Sequence, residues 1–459
     1  MYLITISGKN RKLTERIALP ASKSISNRLL ILRALSKADI HLESLSAAED
    51  TLLLRELLNQ AGIARRPASG HQVAPGQDLP AEPERSACKL DCRNAGTVLR
   101  FLTACLAIQP GTWILSGSDR MHHRPVGILV EALRSFGASI GYMGEEGYPP
   151  LQIEGKALRG GEVTVDGSVS SQFISALLMI GPELPGGLTL RITGTRVSSP
   201  YVEMTLRIME QLGATVEREK EILRVLPGKY HAGLLPGHRY MVEADWSSAA
   251  FWYEAAALAG ESEIRLPGLY QQSLQGDAVV ADLFRPLDVE TTYDADGIVI
   301  RSHEARGKRQ EERDHSSPVR LSARPLVRLS PCPDLAPALI VTYAALGIPA
   351  RFTGIEHLAV KESDRLNALA QELKKLGRTI LTPASGIVET IAADPLPPFR
   401  PDETPACIET YEDHRIAMAF APLALNTGGI RISDPSVVSK SYPGFWEEMK
   451  KLGFSIFEE

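Results

Sequence analysis

The feature that most limits the possible folds of this chain is a helix pattern that recurs at an almost constant spacing. Five amphipathic segments end in a glycine, which is typical of a helix C-terminus. These glycines are Gly62, Gly137, Gly213, Gly377 and Gly453. Three of the four intervals are 75 or 76 residues, and the remaining interval of 164 residues is twice 82. We therefore expect a sixth copy at DLFRPLDV, which ends at Val289 and has Pro286 in place of the usual helix ending.

A second pattern has the same period. Six times, a turn of small or polar residues opens an Ala/Leu-rich helix that is apolar on most sides, so these helices should be buried. The six segments are ASKSISNRLLILRAL, RNAGTVLRFLTACLA, GSVSSQFISALLMIG, EADWSSAAFWYEAAALAG, PCPDLAPALIVTYAALG and YEDHRIAMAFAPLAL. Their openings lie near residues 23, 95, 170, 246, 334 and 413.

Six units of about 76 residues, each with two helices and several strands, are too large for a solenoid repeat. Grouping three units in each globular domain predicts two α/β domains, with the buried helices inside and the sheets outside. If the buried helices point the same way, their N-termini converge on a shared site. Because helix N-termini favour negative charge, that site should bind anions.

The segment LPASKSISNR, residues 19–28, opens the first of these helices. Ser22 or Ser24 can cap the helix, whose free N–H groups attract an anion. Lys23 and Arg28 add positive charge, and small residues surround them, so the segment indicates a phosphate or carboxylate site. An ordinary capped helix with two solvated cations is the alternative. The spacing GxxxxGK[ST] is absent, so a nucleoside triphosphate is not the default ligand.

Composition indicates a soluble globular protein and disfavours several classes of function. Of the 459 residues, 44% are hydrophobic and 23% are charged. The formal net charge of −5 disfavours non-specific nucleic-acid binding, so local cations must hold any anionic ligand. No apolar run approaches the roughly 18 residues that span a bilayer, and the N-terminus lacks the order of a signal peptide. We expect a cytoplasmic location and no membrane partner.

Two further observations concern cysteines and loops. The five cysteines form no CxxC pair and no zinc spacing with histidines, so we expect reduced, mostly structural thiols and no metal. Residues 65–86 are rich in Pro and Gly and predict a surface loop, whereas residues 303–325 are charged and predict an exposed or mobile insertion. We assign chemistry to neither stretch.

Eight motifs together resemble one enzyme family. They are PASKSISNR, RNAGTVLR, RMHHRP, DGSVSSQF, SSPYVE, KESDRL, YEDHR and DPSVVSKSYPGF, and they span residues 20–445. Each motif alone is weak, but in this order and spacing the set resembles the 3-phosphoshikimate 1-carboxyvinyltransferases, or EPSP synthases. The resemblance implies an inside-out α/β barrel fold of six βαβαββ repeats. Three repeats form a discontinuous domain, 1–20 with 243–459, and three form an inserted domain, 21–242.

The resemblance also implies a reaction, with no organic cofactor and no metal. The 5-hydroxyl of shikimate 3-phosphate adds to C2 of phosphoenolpyruvate, and phosphate then leaves. The two substrates bring two phosphates and two carboxylates together, and such charge cannot be desolvated unpaired. Cations and hydroxyl donors at the helix starts can compensate for this desolvation, because charge-assisted hydrogen bonds are worth roughly 1.5–3 kcal/mol each. We expect these two small molecules as the only partners and a monomeric protein.

The resemblance assigns substrate-binding roles to individual residues. Residues expected at shikimate 3-phosphate are Lys23, Ser24, Arg28, Ser170, Ser171, Gln172, Ser198, Tyr201, Asp334, His357 and Lys361. Residues expected at phosphoenolpyruvate are Lys23, Gly96, Arg124, Gln172, Glu362, Arg365, Arg415 and Lys440. At Gly96 a side chain would intrude on the ligand. Arg100 resembles a structural arginine of the family.

The resemblance assigns the proton transfers as well. Asp334 matches the base that removes the hydroxyl proton, and Glu362 matches the acid that protonates the methylene carbon. Lys361 positions the hydroxyl, His414 shapes the surroundings of Glu362, and Lys23 contacts both ligands. These five residues form the predicted catalytic set.

Four positions depart from the family pattern. They are PASKS for the commoner PGSKS, Phe101 after Arg100, the sequence SPCPDLAPAL around Asp334, and His357 where Asn is usual. The departure around Asp334 comes directly after the charged insertion. It therefore affects the match to the family on which the assignment of Asp334 as the base depends.

Three alternative functions remain at this point. One is the enolpyruvyl transferase that acts on UDP-N-acetylglucosamine, which shares the fold but typically uses a mobile-loop cysteine. Another is a non-catalytic anion-binding protein, which the pairing of Asp334 with Glu362 argues against. The third is an RNA-phosphate cyclase, which the acidic net charge disfavours.

Overall fold

The computed structural model describes residues 3–8, 12–36, 40–63, 87–167, 170–194, 199–303, 324–399 and 403–458. The predicted loop at 65–86 lies outside these residues, as does almost all of the predicted insertion at 303–325. The chain divides into two compact units. Unit 1 comprises Met1–Ser22 and Glu243–Glu459, and unit 2 comprises Lys23–Val242.

The strands of unit 2 form three sheets among its described residues. The first sheet has the strand order Cys88–Asp91, Gly111–Ser116, Leu151–Gly155, Ser139–Tyr142. The second has the order Gly161–Asp166, Leu188–Thr193, Ile222–Val225, Val216–Arg218. The third is the pair Arg239–Met241 and His41–Glu43. In each four-stranded sheet the first two strands are parallel and the others antiparallel. The register pairs Leu90 with Leu115 across the parallel strands.

The helices of unit 2 connect these strands. They are Lys23–Leu35, Glu49–Gln60, Gly96–Ala107, Asp119–His122, Gly127–Ser135, Ser171–Ile180 and Ser199–Gln211, with 3₁₀ turns at Gly181–Glu183 and Pro236–His238. The helices that begin at Lys23, Gly96 and Ser171 pack against one another. Their side chains are buried on almost every side, as their sequences predict.

The described strands of unit 1 form three four-stranded sheets with the same arrangement of parallel and antiparallel pairs. The first sheet has the strand order Lys12–Arg16, Glu261–Pro267, Gly297–Ser302, Val289–Tyr293. The second has the order Leu326–Arg328, Arg351–Thr353, Ile387–Thr390, Ile380–Ala384. The third has the order Cys407–Ile408, Ile430–Ser433, Leu3–Ser7, Ser455–Glu458. The N-terminal strand Leu3–Ser7 therefore lies between two strands from the far end of the chain.

The helices of unit 1 include the other three predicted buried segments. Its α-helices are Trp246–Leu258, Val280–Phe284, Ala336–Ala345, Arg365–Lys375, His414–Phe420, Ala424–Thr427 and Phe445–Lys451. Its 3₁₀ helices are Gly276–Val279, Arg285–Leu287, Pro333–Leu335, Glu356–Val360, Ala421–Leu423 and Pro435–Lys440. The core includes an aromatic cluster in which the rings of Trp252 and Phe445 are 5.5 Å apart.

The predicted sixth helix ending is present, but aspartate takes the place of glycine. The other five endings place Gly62, Gly137, Gly213, Gly377 and Gly453 in the left-handed region, with φ between 69° and 101°. Asp288 follows the turn Arg285–Leu287 and is also left-handed, with φ of 59°. Asp tolerates this conformation better than most residues, because its short polar side chain bonds locally. The sequence predicts this copy with Pro286 in place of the usual ending, whereas the left-handed residue that ends the turn is Asp288.

The cysteines are unpaired, as the sequence predicts. Cys92, Cys105 and Cys332 are buried, and Cys88 and Cys407 are partly exposed. Burial raises the pKa of Cys105 to about 12, so its thiol stays protonated at neutral pH. Within the described ranges, no helix has both the length and the apolar character needed to cross a membrane.

Candidate active site

The predicted acid and base of unit 1 lie around one buried arginine. Arg365 is 1% exposed and begins the helix Arg365–Lys375. Its Nη1 donates to Asp334 Oδ1 at 3.3 Å, and its Nη2 donates to Glu362 Oε2. Its Nε donates to Asp413 Oδ2 at 2.8 Å. Burial lowers the pKa of a guanidinium, but these three carboxylates outweigh burial and raise it, so Arg365 is fully charged.

The predicted base, Asp334, faces three cations. Besides Arg365, Arg415 Nη2 lies 3.0 Å from its Oδ2 and Lys361 Nζ lies 3.7 Å from its Oδ1. Burial alone would raise the pKa of Asp334, but the positive charges of Arg415, Lys361 and Arg365 hold that pKa well below its ordinary value. The carboxylate is therefore ionised and able to accept a proton.

The predicted acid, Glu362, lies between a second pair of cationic groups. Its Oε2 accepts from Arg365, and Lys440 Nζ lies 3.7 Å from its Oε1. His414 Nδ1 is 4.0 Å from Oε2, which agrees with the prediction that this imidazole shapes the surroundings of Glu362. Lys440 ends the 3₁₀ helix Pro435–Lys440.

The YEDHR motif reaches this centre through an unusual turn. Tyr411 and Glu412 are both left-handed, with φ of 54° and 55°, and Asp413 then caps the helix His414–Phe420. Asp413 Oδ1 accepts from Arg415 N at 3.0 Å, while Asp413 Oδ2 also accepts from the Ser363 hydroxyl. One fully buried carboxylate thus fixes both the helix start and Arg365.

His357 is one of the unit 1 positions at which the sequence departs from the family pattern. Burial and the cations of Lys361 and Arg365 lower its pKa to about 4, although Asp334 opposes them. The imidazole is therefore neutral at physiological pH. A neutral imidazole has one hydrogen-bond donor and one acceptor. The amide side chain of asparagine also has both a donor and an acceptor. The electrostatics thus explain how histidine can replace asparagine here.

In unit 2 the helix start at Gly96 is crowded by two guanidinium groups. A Cβ on Gly96 would overlap nitrogens of Arg100 and Arg124 and would lie 2.6 Å from Arg124 Cζ. Both arginines are 5% exposed, and Arg124 Nη1 donates to the Asn94 carbonyl at 3.1 Å. A side chain at Gly96 would therefore force the Arg100 and Arg124 guanidinium groups to move, in addition to the predicted approach of a ligand.

Gln172 connects two of the helix starts in unit 2. Its Oε1 accepts from Arg100 Nη1 at 3.0 Å, and its Nε2 donates to Thr97 Oγ1 at 2.9 Å. Thr97 and Gln172 are each the second residue of a buried helix. Arg100 Nη2 also donates to the Pro125 carbonyl at 3.1 Å. Arg100 thus braces the helix starts, as the resemblance predicts.

Lys23 and Arg28 open the first buried helix of unit 2 in different environments. Lys23 Nζ lies 3.1 Å from Asp50 Oδ2. Arg28 is 3% exposed and donates to Thr205 Oγ1 at 2.6 Å and to Ser175 Oγ at 3.2 Å. Burial lowers the pKa of Arg28 to about 10, which still leaves it charged at neutral pH.

Arg28 is held by backbone and aromatic groups as well. Its Nη1 donates to the Ser24 carbonyl and its Nη2 to the Tyr201 carbonyl. Its guanidinium lies 5.4 Å from the centre of the Phe101 ring. Phe101, a departure from the family pattern, therefore packs against a predicted ligand-binding cation. The contact of Arg28 with shikimate 3-phosphate stays a prediction.

The predicted phosphate-binding serines are only partly described. Ser170 caps the helix Ser171–Ile180 and accepts from Gln172 N at 3.3 Å. Ser171 is the first residue of that helix and is 8% exposed. Ser198 lies outside the described residues. The side chain of Tyr201 is partly buried.

Sequence reasoning missed two acidic residues of these clusters. Asp413 lies within the YEDHR motif, but nothing in that motif predicts its contact with Arg365. Asp50 follows Lys23 by 27 residues, and no local pattern joins them. Glu362, Asp413 and His414 also bring three potential metal ligands within 4.8 Å of one another. Arg365 already donates to both carboxylates, so a metal ion there would compete with a buried guanidinium.

Comparisons with known proteins identify the family. The family model described as EPSP synthase (3-phosphoshikimate 1-carboxyvinyltransferase) matches residues 8–449. A Bacteroides fragilis protein named 3-phosphoshikimate 1-carboxyvinyltransferase is 43% identical over 443 residues, which cover 96% of this chain and 95% of the relative. A Marinomonas protein of the same name is 35% identical over 449 residues, covering 97% and 98%.

Solved structures support the fold. A structure of EPSP synthase from Acinetobacter baumannii has a TM-score of 0.73 and 24% sequence identity, and the match covers 100% of both chains. The mixed α/β, two-domain fold predicted from the sequence is therefore confirmed. The relatives favour enolpyruvyl transfer to shikimate 3-phosphate over transfer to UDP-N-acetylglucosamine. The chain belongs to the EPSP synthase family, the 3-phosphoshikimate 1-carboxyvinyltransferases of the shikimate pathway.

Proposed function

We propose that this chain transfers the enolpyruvyl group of phosphoenolpyruvate to the 5-hydroxyl of shikimate 3-phosphate through the cluster around Arg365. The observation that carries the proposal is that Asp334 and Glu362 both contact one buried cation. Two carboxyl groups in different electrostatic surroundings suit paired proton transfers. The family membership supplies the substrates.

In the addition step, Asp334 removes the proton from the 5-hydroxyl. The hydroxyl oxygen forms a bond to C2 of phosphoenolpyruvate, and the methylene carbon takes a proton from Glu362. Lys361, which lies 3.7 Å from Asp334 Oδ1, donates to the attacking hydroxyl oxygen and keeps it beside the base. In the elimination step the Glu362 carboxylate takes a proton back from the new methyl group, the C2–O bond breaks so that phosphate leaves, and the enol ether forms.

Glu362 must hold a proton when it acts as an acid. Its contacts with Arg365 and Lys440 bear on when the carboxyl group can do so. Arg365 and Lys440 favour the ionised carboxylate in the protein alone. In the proposal, the phosphate and carboxylate of phosphoenolpyruvate bind the same two cations, Arg365 and Lys440. They bind Arg415 as well. In the proposed mechanism Glu362 holds the proton that it transfers while phosphoenolpyruvate occupies these cations.

The unit 2 residues supply ligand binding in this proposal. Ser170, Ser171 and Ser198 bind the phosphate of shikimate 3-phosphate, with Gln172 and Tyr201 beside them. His357 of unit 1 contributes neutral hydrogen-bonding groups. Phosphoenolpyruvate lies at Gly96, Arg124 and Gln172, and Lys23 contacts both substrates. The support is that Arg124 and Gln172 are held at one helix start.

The fold supports a finer proposal of six βαβαββ repeats with helices inside and sheets outside. Five four-stranded sheets of the described residues share one arrangement of a parallel pair followed by two antiparallel pairs, and unit 2 adds a parallel pair of strands. We assign repeats to a domain of 1–20 with 243–459 and to an inserted domain of 21–242. All predicted site residues belong to one chain, so the proposal needs no second copy.

The test is phosphate release from phosphoenolpyruvate by the purified protein. Release should require shikimate 3-phosphate and should not occur with UDP-N-acetylglucosamine as the acceptor. Binding of both shikimate substrates without phosphate release would instead support a non-catalytic anion-binding protein. Equal release with the two acceptors would contradict the proposed substrate.

A further inference from the structure

Two short segments of unit 1, each adjoining unit 2 in the sequence, are paired with each other. Ser22 is the last residue of unit 1 before unit 2 begins, and Glu243 is the first residue after unit 2 ends. An isolated antiparallel β-bridge pairs Ala21 with Ala244. Ser22 N also donates to the Glu243 carbonyl at 2.9 Å. The segment that leads into unit 2 is therefore held by the segment that follows unit 2.

A buried glutamine of unit 1 adds side-chain contacts to this pairing. Gln275 is 5% exposed, and its Oε1 accepts from Ser22 Oγ at 3.0 Å and from Trp246 N at 3.1 Å. Its Nε2 donates to the Ala244 carbonyl at 2.7 Å and to Glu243 Oε1 at 3.0 Å. An amide side chain has two donor hydrogens and an oxygen with two lone pairs. All four hydrogen-bonding positions of Gln275 are therefore occupied.

The bond from Ser22 gives this network a consequence for the site. Ser22 is fully buried, and of the four partners of Gln275 it alone belongs to the segment that leads into unit 2. Lys23 follows it directly and is the first residue of the helix Lys23–Leu35. The Lys23 ammonium lies 3.1 Å from Asp50 Oδ2. Gln275 thus fixes the backbone just before Lys23, whereas Asp50 contacts the end of its side chain.

The placement of a group that contacts reacting substrates is sensitive to small shifts. A misplacement of about 1 Å, caused by a mutation away from the chemistry, can lower a rate by about 100-fold. A residue that fixes the start of the helix Lys23–Leu35 can therefore influence both binding and turnover without contact with a ligand.

We propose that Gln275 is a positioning residue, which fixes the start of the helix Lys23–Leu35 through Ser22 and so places the Lys23 ammonium for both substrates. The proposal rests on the proposed function, which assigns Lys23 to both substrates. Gln275 itself touches neither substrate. An amide suits this role, because a carboxylate at the same position would replace the two donated hydrogen bonds by contacts between oxygen atoms.

The test measures the Kd for shikimate 3-phosphate by calorimetry and kcat by phosphate release. The variants are Gln275→Met, which has a similar size but makes none of the four bonds, and Ser22→Ala, which removes only the bond to Ser22. In both we expect the Kd to rise and kcat to fall about five- to twentyfold, because a displaced Lys23 loses part of its charge-assisted hydrogen bonding. Ser22→Ala keeps the test decisive if Gln275→Met folds poorly.

A matched control is available in the same unit. Ser262 is 4% exposed, and its hydroxyl pairs with that of Ser302 at 2.9 Å, between the strands Glu261–Pro267 and Gly297–Ser302. Ser262→Ala removes one buried hydroxyl, as Ser22→Ala does, but has no link to Lys23 in this network. It should have the wild-type Kd and kcat.

A double-mutant comparison separates positioning from general damage. If Ser22 and Gln275 act through Lys23, then Ser22→Ala should not weaken shikimate 3-phosphate binding further in a Lys23→Met background. An equal loss with and without Lys23 would overturn the proposal. Wild-type Kd and kcat in both Ser22→Ala and Gln275→Met would overturn it as well.

The two proposals can be told apart by Lys23→Met alone. If this variant keeps near-normal Kd and kcat, the proposed role of Lys23 is wrong and the inference about Gln275 is wrong with it. If Lys23→Met is impaired while Ser22→Ala and Gln275→Met behave as wild type, only the inference about Gln275 is wrong.

Discussion

The functional clusters of unit 1 and unit 2 use arginine in opposite ways. In unit 1, Arg365 contacts three carboxylates, and two of these are the predicted acid and base. In unit 2, Arg28 and Arg100 are held by hydroxyl, amide and carbonyl oxygens of neutral groups. The positive charge of unit 1 is thus matched by acidic side chains within the protein. Arg28 and Arg100 are instead oriented by neutral oxygens, which do not neutralise their positive charge.

This difference suggests a division of labour. Proton transfer needs carboxylates, and carboxylates buried beside a site for anions must be paired with cations. Binding needs cations whose charge is available to the ligand, and neutral oxygens can orient a guanidinium without cancelling its charge. Changes in unit 1 should therefore alter chemistry and pH dependence, and changes in unit 2 should mainly alter ligand affinity.

The largest expected contrast is in stability. Arg365→Met leaves three buried carboxylates without their shared cation, and breaking such a buried pairing costs about 3–5 kcal/mol. Arg28→Met leaves neutral acceptors, and the loss should be about 1–3 kcal/mol. Urea unfolding of both variants and wild type at pH 7 measures the free energies of unfolding.

The pH dependence of those losses sharpens the contrast. Cations hold the pKa of Asp334 well below its ordinary value, so this pairing stabilises the protein above the ordinary carboxyl pKa and less as the pH falls. Without Arg365 the carboxylates take up protons more easily, so the deficit of Arg365→Met should shrink between pH 7 and pH 5. The deficit of Arg28→Met should stay constant. If the stability losses of both variants depended equally on pH, the proposed difference between the arginine pairings of unit 1 and unit 2 would be wrong.

The next effect concerns affinity in unit 2. In Gly96→Ala the new methyl group displaces Arg100 and Arg124, and overpacking of this kind costs about 1–3 kcal/mol. We expect phosphoenolpyruvate to bind roughly 5- to 150-fold more weakly, because 1.4 kcal/mol is tenfold. Shikimate 3-phosphate should be affected much less.

A matched control is available in the same unit. Gly141 lies in the strand Ser139–Tyr142, and a Cβ there meets no atom within 4 Å. Gly141→Ala should bind both ligands normally in calorimetric titrations. If Gly96→Ala weakens both substrates equally, the assignment of this helix start to phosphoenolpyruvate is wrong.

The smallest effect tests burial of a carboxyl away from the site. Glu254 is 0% exposed, and burial raises its pKa well above the ordinary value, while the nearby Thr342 hydroxyl offsets only part of this. The native state keeps a proton that the unfolded chain loses, so stability falls as the pH rises above the ordinary glutamate pKa. The slope from this group is at most about 1.4 kcal/mol per pH unit.

Glu254→Gln removes this titration and provides the check. Its free energy of unfolding, measured by denaturation between pH 5 and pH 9, should depend less on pH than that of wild type. Identical slopes would mean that Glu254 is already ionised in the folded protein.

The sequence predicted the local features well, because they depend on neighbouring residues. The buried helices begin where turns of small or polar residues predicted them. Arg365, Asp334 and Glu362 lie together as the family resemblance implied. The pairing of Lys23 with Asp50 was missed, because contacts across 27 residues leave no local pattern.

Other features depend on packing that no motif encodes. Arg28 is held by Ser175 and Thr205, which lie 147 and 177 residues further along the chain. The neutral state of His357 follows from burial beside Lys361, and the left-handed Asp288 stands where the other five helix endings have glycine. Ser198 lies outside the described residues, so its predicted role in phosphate binding stays a prediction.

The most direct measurement of the central claim separates turnover from binding in Glu362→Gln. Glutamine keeps the size of Glu362 and can still accept a hydrogen bond through its amide oxygen, but it cannot supply the proton. We predict that kcat falls at least about 100-fold, the usual scale for general acid–base catalysis, while the Kd for shikimate 3-phosphate barely changes. Glu356→Gln, an exposed position in the adjoining 3₁₀ helix, should have normal values of both. Near-normal kcat in Glu362→Gln, or a loss confined to the Kd, would contradict the assignment of chemistry to unit 1.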